Sequence, residues 1–307
     1  MNTSDNEKRA PSNANNVAEI VALALNEQGY LFQHKIVQVL QSGDESNGVR
    51  HNWFVEAEEV PVSLPNSEET RIDMVLRHGP ALGNPWRIVV ECKRSSPEFK
   101  RWVFFGGGAL CRNFSPRDYY VEFFDESPDQ AAPNQAAPMQ HLVKQVGASS
   151  ECPVFDYGVE VKSERPETRR RASATNAIED AFQQVILGQT GFALRLRKVC
   201  ERSFRLLPVV VTTAELFSAD FSVDRVSLDR GMLQPADLSL KPMSWLAVNY
   251  RINAVICELS GITTTPKRDL AADLLARQVR TVFVVQSAQV RQFLAWAGES
   301  FHCAARR

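Results

Sequence analysis

Three strand-like runs follow one another closely in the first third of the chain, at residues 53–64, 71–77 and 86–93. Each run is rich in β-branched and aromatic residues, and polar turn residues separate it from the next. Connections this short join neighbouring antiparallel strands and leave no room for a crossover helix. A helix predicted at residues 17–28, ended by Gly29, precedes the runs. We therefore expect an antiparallel meander packed against that helix.

The rest of the chain carries weaker but readable signals. Residues 29–40 are apolar enough for either a buried strand or a second helix. Residues 175–187 predict a helix, and the continuous apolar run at 205–212 predicts a strand buried on both faces. Further strands are predicted at 245–250, 254–259 and 281–285, followed by a helix at 288–296. Between residues 95 and 171 the regular pattern weakens, and the Pro-rich residues 130–138 predict an exposed loop.

Composition excludes several classes of protein. The 307 residues include 35 Lys and Arg against 36 Asp and Glu, and a net charge of −1 excludes a histone-like polyanion binder. No apolar run approaches the 18 residues of a membrane span, and residues 1–16 lack the apolar segment of a signal peptide, so we expect a cytoplasmic protein that does not bind a membrane. The six cysteines form no CxxC pair, so free thiols are expected rather than a zinc site.

Two strands carry carboxylates inside otherwise apolar runs. Glu91 and Lys93 leave the same face of the third run, while Cys92 points to the other face. Asp73 interrupts the second run, where a carboxylate is costly unless it is paired or bound to a metal. If the two strands are neighbours, Asp73 and Glu91 would converge on one Mg²⁺ or Mn²⁺, with the backbone carbonyl of Cys92 as a further ligand. Lys93 would then orient or deprotonate a water and hold a phosphoryl oxygen, which is the chemistry of phosphodiester hydrolysis.

The tripeptide Glu-x-Lys is weak by itself, because the chain contains it three times. Glu98 has no strand before it, so its copy lacks the context of a buried site. Glu160 lies in an alternating run that predicts a half-exposed strand with a solvated face. The context therefore favours Glu91, with the Glu160 copy and an ordinary surface ion pair as the alternatives.

The order of these elements resembles the PD-(D/E)xK superfamily of restriction-endonuclease-like nucleases. The resemblance covers roughly residues 17–213: a helix with a Glu, a strand with Asp73, an apolar strand ending in Glu-x-Lys, a helix with a Gln, and a buried strand. It implies an α/β fold with an αβββαβ core, a mixed central sheet flanked by helices. It further implies a single nuclease domain at residues 16–300, with a long insertion at about 102–172 and a C-terminal extension. The polar composition of the N-terminus separately predicts a disordered lead at residues 1–15.

The resemblance also implies roles for individual residues. Asp73 and Glu91 would be the metal ligands and Lys93 the catalytic lysine. Glu19 matches the first-helix glutamate that reaches the metal directly or through water, and the alternative is a solvent-facing helix residue. Gln184 matches the later-helix glutamine, with Gln183 an almost equal candidate.

Charge is distributed unevenly along the chain. Residues 44–70 hold seven acids and one base, whereas residues 162–171 hold five bases and two acids and residues 195–205 five bases and one acid. Phosphate contacts are expected from basic residues in or near these stretches, although such runs are as often a solvated face. The candidates are Arg94, Lys100, Arg101, Arg169, Arg170, Arg171, Arg195, Arg197 and Lys198. The aromatic residues Trp102, Phe104 and Phe105 would either stack on bases or pack internally, and packing is favoured.

These observations lead to a metal-dependent nuclease, acting on DNA, in a defence or restriction context. An alternative of a different class is a catalytically silent or partner-dependent subunit that binds nucleic acid or assembles a multi-protein defence system. A third alternative is a protein-interaction scaffold with no role in nucleic-acid chemistry. The expected partners are nucleic acid and either a second copy of the chain or a defence-system protein.

Overall fold

The computed structural model of the protein describes eleven segments of the chain: residues 12–27, 29–42, 51–64, 68–79, 85–95, 99–106, 118–126, 139–161, 176–199, 203–252 and 278–304. They contain four α-helices, α1 Ser12–Glu27, α2 Tyr30–Gln41, α3 Ala177–Lys198 and α4 Val290–Ala304. None of the helices in these segments is long and apolar enough to cross a membrane.

The residue directly before α2 is a glycine in the left-handed conformation. Gly29 has φ +73°, a conformation that glycine adopts without the steric cost of a Cβ atom. The predicted first helix is confirmed, but it begins at Ser12, inside the segment expected to be disordered. Residues 29–40, for which strand and helix were both open, form α2, which buries Gln33, Ile36 and Val37 at helical spacing.

The strands form two sheets. In chain order they are β1 Trp53–Ser63, β2 Glu69–His78, β3 Trp86–Lys93, β4 Arg101–Phe105, β5 Asp118–Glu126, β6 Met139–Gly147, β7 Val154–Phe155, β8 Tyr157–Val161, β9 Phe204–Thr212, β10 Glu215–Asp220, β11 Ser239–Met243, β12 Trp245–Arg251 and β13 Val279–Gln286. The main sheet has the order β1-β2-β3-β9-β13-β12-β7, and β5 joins it by pairing with β9 and β6.

The predicted meander is confirmed and forms one side of the main sheet. β1 pairs antiparallel with β2, and β2 antiparallel with β3. β3 then pairs in parallel with β9 along its whole length, from Trp86 opposite Arg205 to Lys93 opposite Thr212. A parallel pair needs a crossover connection, and α3 lies in the connection between these two strands.

The second sheet has the order β11-β10-β4-β8 and continues from the two parallel strands of the first. In the chain, β4 follows β3 and β10 follows β9. β4 and β10 pair in parallel with each other, as β3 and β9 do. The connection is held by main-chain hydrogen bonds, from Thr213 to Lys93 at 3.3 Å and from Glu215 to Lys100 at 2.7 Å. The second sheet therefore begins at the carboxyl edge of the main sheet, where β3 and β9 end.

Both faces of the main sheet are covered, as the apolar β3 and β9 runs predict. One face packs against α3 through residues such as Val89, Phe182 and Ile186. The other packs against α2 and α4 in an aromatic cluster that includes Trp86, Phe283, Phe293, Trp296 and Phe301. The structure is thus a mixed α/β fold with a large mixed sheet flanked by helices.

Two expected appendages are integral parts of the sheets. β5 and β7, inside the expected insertion at 102–172, pair with β9 and β12 of the main sheet. β13, in the expected C-terminal extension, lies between β9 and β12, and α4 covers the core behind it. The pattern at 95–171 was too weak to predict these strands. The loop at 130–138 and the strand at 254–259 lie outside the described residues.

Candidate active site

Asp73 lies at an interruption in the pleat of β2. Ile72 packs in the core beneath α3, whereas Met74 packs in the core on the opposite face of the sheet. Residues two apart on a regular strand share a face, so the strand must twist locally between them. The pairing of β2 with β3 accordingly begins at Met74, opposite Val90, and does not include Asp73.

β1 is irregular at the same level. The register is unshifted there and pairs Glu58 with Met74 and Val60 with Ile72, but Glu59 and Asp73 between them are not paired. Glu59 has φ +50° and is the non-glycine residue with positive φ in the described segments. Its carboxylate forms an ion pair with Arg71 at 3.0 Å.

The side chain of Asp73 takes the place of the missing main-chain pairing. Its Oδ2 atom accepts a hydrogen bond from the backbone N–H of Cys92 at 2.7 Å. This bond brings the carboxylate of β2 onto the end of β3, between Glu91 and Lys93. The predicted proximity of Asp73 to the Glu91-x-Lys93 tripeptide is therefore present in the structure.

Glu91 and Lys93 share the α3 face of β3, as their alternation predicts. Lys93 Nζ lies 3.1 Å from Glu91 Oε1 and donates to Gln184 Oε1 at 2.5 Å. Gln184 stands in the eighth position of α3, so strand and helix meet at the lysine. Gln183, the near-equal candidate, bonds instead to Glu179 one turn earlier at 3.2 Å. Cys92 points to the opposite face, where it packs half-buried against the other core.

A glycine lets α3 approach this edge of the sheet. A Cβ atom on Gly188 would lie 2.9 Å from Cγ1 of Ile72, which is closer than packed carbon atoms tolerate. Gly188 is one helical turn after Gln184, on the same side of α3. The close approach therefore helps to set the distance between Gln184 and β3.

The carboxylates of the site are held in an unfavourable environment. Burial, together with the nearby charge of Asp73, raises the pKa of Glu91 to about 7 despite the lowering effect of the ion pair with Lys93. Burial also raises the pKa of Asp73, against the lowering effect of the Cys92 N–H, and Glu59 adds to the increase. Two desolvated carboxylates beside a third favour a bound cation or a proton.

The pair of carboxylates, Asp73 and Glu91, suits a divalent cation that keeps most of its water ligands and exchanges only a few for protein oxygens. Within the described segments, no group of three or more His, Cys, Asp or Glu side chains is arranged to hold a metal ion. Mg²⁺, however, commonly binds one or two carboxylates and keeps several waters or substrate oxygens. Asp73 and Glu91 are two carboxylates of this kind and stay predicted ligands, with the Cys92 carbonyl as a predicted third. The oxygen-only donor set suits Mg²⁺ or Mn²⁺ rather than zinc.

The structure does not bring Glu19 to this site. Glu19 is exposed on α1, and no contact joins it to Asp73 or Glu91 in the described part of the chain. The helix that reaches β2 is α2, through Gln33, whose Nε2 atom donates to the backbone carbonyl of Asp73 at 2.8 Å. Gln33 was not predicted, because the pattern of residues 29–40 fits a helix and a strand equally well. Glu59 was not predicted either, because nothing in the sequence distinguishes it from Glu56 and Glu58.

The predicted phosphate-binding residues are dispersed. Arg94 and Lys100 are exposed just beyond the end of β3, and Arg101 forms an exposed ion pair with Glu215 at 3.3 Å. The last turn of α3 carries three more of the predicted basic residues, Arg195, Arg197 and Lys198. That turn begins eleven residues after Gln184, about 16 Å along the helix axis. Basic residues there also interact favourably with the helix dipole. Residues 169–171 lie outside the described residues.

The other predicted alternatives take structural roles. Trp102 and Phe104 are fully buried, so they pack, whereas Phe105 is half-buried and stacks on Tyr157 with ring centroids 5.6 Å apart. Glu160 lies on β8, the half-exposed strand that was predicted. Its carboxylate accepts a hydrogen bond from the N–H of Ala177, the first residue of α3. Cys92 and Cys152 are free thiols.

The class that the described structure defines is a mixed α/β protein with a pair of carboxylates and a lysine at the edge of its main sheet. Comparisons of the chain with protein-family models, with curated proteins and with solved structures find no match.

Proposed function

We propose that the protein is a metal-dependent nuclease with a restriction-endonuclease-like core. The observation that carries the proposal is the convergence of Asp73, Glu91, Lys93 and Gln184 from β2, β3 and α3 on one point. The chain order supports it: a helix, a three-strand meander, the helix α3 and the strand β9 parallel to β3. Ordinary structural ion pairs do not need two carboxylates, a lysine and an amide from three separate elements.

Asp73 and Glu91 would hold a Mg²⁺ or Mn²⁺ ion, with the Cys92 carbonyl as a further ligand. The bound ion would supply Lewis-acid stabilisation of charge on a phosphate and lower the pKa of a coordinated water. The N–H of Cys92 holds the Asp73 carboxylate in place, and Lys93 holds that of Glu91. Carboxylates held by neighbouring groups are preorganised, which lowers the cost of assembling the site.

Lys93 is the group of this site that would act on the substrate. Its side chain is 24% exposed, and its ammonium group lies between a carboxylate and an amide oxygen, from where it can reach a phosphoryl oxygen or a water. Gln184 orients the lysine because an amide oxygen accepts one of its three N–H bonds without adding a charge. The roles that follow are attack on phosphorus by a water positioned at Lys93 and stabilisation of the developing charge.

DNA is the proposed substrate. Exposed basic residues that follow β3 would contact its phosphates. Arg94 follows Lys93 directly, Lys100 comes seven residues after it, and both are exposed. Phosphate contacts give affinity and a strong salt dependence without reading sequence. The near-zero net charge is compatible with such local contacts.

The test is cleavage of plasmid and oligonucleotide DNA by purified protein with Mg²⁺ or Mn²⁺. We expect nicking or cutting that EDTA stops and that Lys93→Ala reduces by at least 100-fold, while Lys241→Ala, an exposed lysine on β11, leaves it unchanged. Unchanged cleavage by Lys93→Ala would exclude this site as the source of activity. Salt-dependent DNA binding without cleavage under every metal condition would favour the silent assembly subunit instead.

A further inference from the structure

Gln33 is a buried polar side chain that reaches from α2 to the strand carrying Asp73. Its side chain is 4% exposed, and the amide Nε2 atom donates to the main-chain carbonyl of Asp73 at 2.8 Å. The two residues are 40 positions apart, so the bond ties two separate elements together. Its flanking buried residues on α2, Ile36 and Val37, are apolar.

The carbonyl that Gln33 binds belongs to a peptide excluded from the regular ladder. β2 pairs with β3 only from Met74 onward, and β1 pairs with β2 on either side of Asp73 but not at it. A buried carbonyl without a partner costs about as much as a lost hydrogen bond, so a strand cannot leave its ladder here without a replacement donor. Gln33 supplies that donor.

The interruption of the pleat is what allows the carboxylate of Asp73 to reach β3. The side chains of Ile72 and Met74 pack on opposite faces, and the carboxylate between them binds the N–H of Cys92. In an unbroken ladder the N–H groups at the end of β3 would pair with the main chain of β2 instead. The twist at Asp73, the Gln33 bond and the Cys92 bond are therefore parts of one arrangement.

We infer that Gln33 is a positioning residue for Asp73, acting through the main chain rather than through the carboxylate. This inference rests on the proposed function, because Asp73 matters to catalysis only if it binds the metal. Gln33 holds β2 in its twisted form, and the carboxylate then lies where it meets Glu91. It touches neither substrate nor metal.

The test compares Gln33→Leu with Gln38→Leu. Leucine has nearly the volume of glutamine but cannot donate to the Asp73 carbonyl. Gln38 lies on the exposed side of the same helix, where it accepts a hydrogen bond from Lys35 and contacts no strand residue of the site. Three quantities are measured for each variant: the dissociation constant for Mn²⁺ by calorimetry without DNA, kcat and KM for cleavage, and Tm with EDTA.

For Gln33→Leu we expect a 10- to 100-fold weaker affinity for Mn²⁺ and a comparable loss of kcat, as removal of outer-shell partners of metal ligands commonly causes. KM for DNA should stay within twofold, and the Gln38→Leu values should match those of the wild type. Gln33→Met is the second variant, since it retains the length of the side chain but has no N–H or O–H donor at any pH. It should show the same loss.

The outcomes separate the two proposals. Wild-type affinity for Mn²⁺ and wild-type kcat in both Gln33 variants would overturn the positioning role while leaving the nuclease proposal intact. A lower Tm with unchanged kcat and Mn²⁺ affinity in the folded protein would likewise overturn it, because that is the result of a purely structural bond. A wild-type protein that neither binds Mn²⁺ nor cleaves DNA would refute the proposed function itself.

Discussion

The Oε1 atom of Gln184 lies 2.5 Å from the Nζ atom of Lys93, which precedes it by 91 residues. The contact joins α3 to the end of β3 and leaves the lysine with two partners, one charged and one neutral. A neutral partner fixes the direction of the ammonium group without adding to the negative charge of Glu91 and Asp73.

Gln184→Ala should lower kcat by about 10- to 100-fold with little change in stability. The lysine would keep its ion pair with Glu91 but lose the bond that orients it, and misplacement of a catalytic group by about 1 Å can cost this much. The matched control is Gln183→Ala, because Gln183 contacts Glu179 rather than the lysine. Steady-state cleavage of a labelled oligonucleotide measures the effect, and equal losses in the two variants would contradict the assignment.

The free energy of unfolding should fall as pH rises from about 4.5 to about 7 in the absence of metal. Burial and the charge of Asp73 raise the pKa of Glu91 to about 7 in the folded protein, so the folded state keeps a proton that the unfolded chain has lost. The contribution is of the order of 3 kcal/mol, since one unit of pKa corresponds to about 1.4 kcal/mol. It is lost progressively across this window and stays lost above it.

Urea unfolding at several pH values with EDTA, on the wild type and Glu91→Gln, measures this contribution. The difference between the two proteins removes the other titrating groups. Glu91→Gln should be the more stable protein at pH 8, and Mg²⁺ should raise the Tm of the wild type more than that of the variant. An identical pH dependence in both proteins would show that Glu91 does not titrate in this range.

Gly188→Ala should destabilise the protein by about 1–3 kcal/mol, because the added methyl group overlaps Ile72. The displacement of α3 should also lengthen the contact between Gln184 and Lys93 and lower kcat. Gly147→Ala is a suitable control, since a Cβ atom there meets nothing within 4 Å. Chemical denaturation and cleavage assays of both variants test the pair, and equal stability would mean that the sheet yields to the methyl group.

Glu122→Gln should destabilise the protein by about 3–5 kcal/mol. Glu122 and Arg280 form a buried ion pair, with Gln189 donating to the other carboxylate oxygen at 2.7 Å. Burial alone would raise the pKa of Glu122, but Arg280 and His141 outweigh it and lower the pKa to about 2. Removal of the charge leaves a buried guanidinium without its carboxylate. Since the folded pKa is depressed, this stability is present above about pH 4.5 and is lost as pH falls toward 2.

Two further variants distinguish a charge effect from a packing effect at this pair. Glu58→Gln, on the exposed side of β1, should change the free energy of unfolding by less than about 0.5 kcal/mol. The double variant Glu122→Leu with Arg280→Leu should recover much of the loss, because apolar replacements of a buried ion pair are often neutral. Failure of the double variant to exceed Glu122→Gln in stability would point to packing rather than charge.

Local patterns predicted the elements that build the site. The meander, α3 and β9 were readable because strand and helix periodicities differ and because short connections force neighbouring strands together. The alternation of side chains along β3 predicts that Glu91 and Lys93 lie on one face of the strand and Cys92 on the other. The contact of Asp73 with this strand followed from adjacency alone.

Long-range pairing was not readable in the same way. The interruption of the pleat at Asp73 arises from how β2 packs between its neighbours, and no single residue in the run 71–77 indicates it. Gln33 contributes through a contact with Asp73, 40 residues later in the chain. Glu19 was assigned to the site because it lies in the first helix, but α2 is the helix that reaches β2. The strands of residues 101–161 pair with partners far along the chain, which periodicity cannot identify.

The position of β13 bears on how the protein is assembled. Residues 279–286 lie between β9 and β12 in the middle of the main sheet, and Trp53 of β1 donates from its indole to the carbonyl of Leu294, 241 residues later. Contacts of such high sequence separation slow folding, because the ends of a long loop must meet before the contacts form. A nascent chain that has not yet delivered β13 exposes one edge of β9 and one of β12. The site on β3 therefore depends on a sheet that closes only late in synthesis, and truncation before Val279 should abolish folding rather than remove a tail.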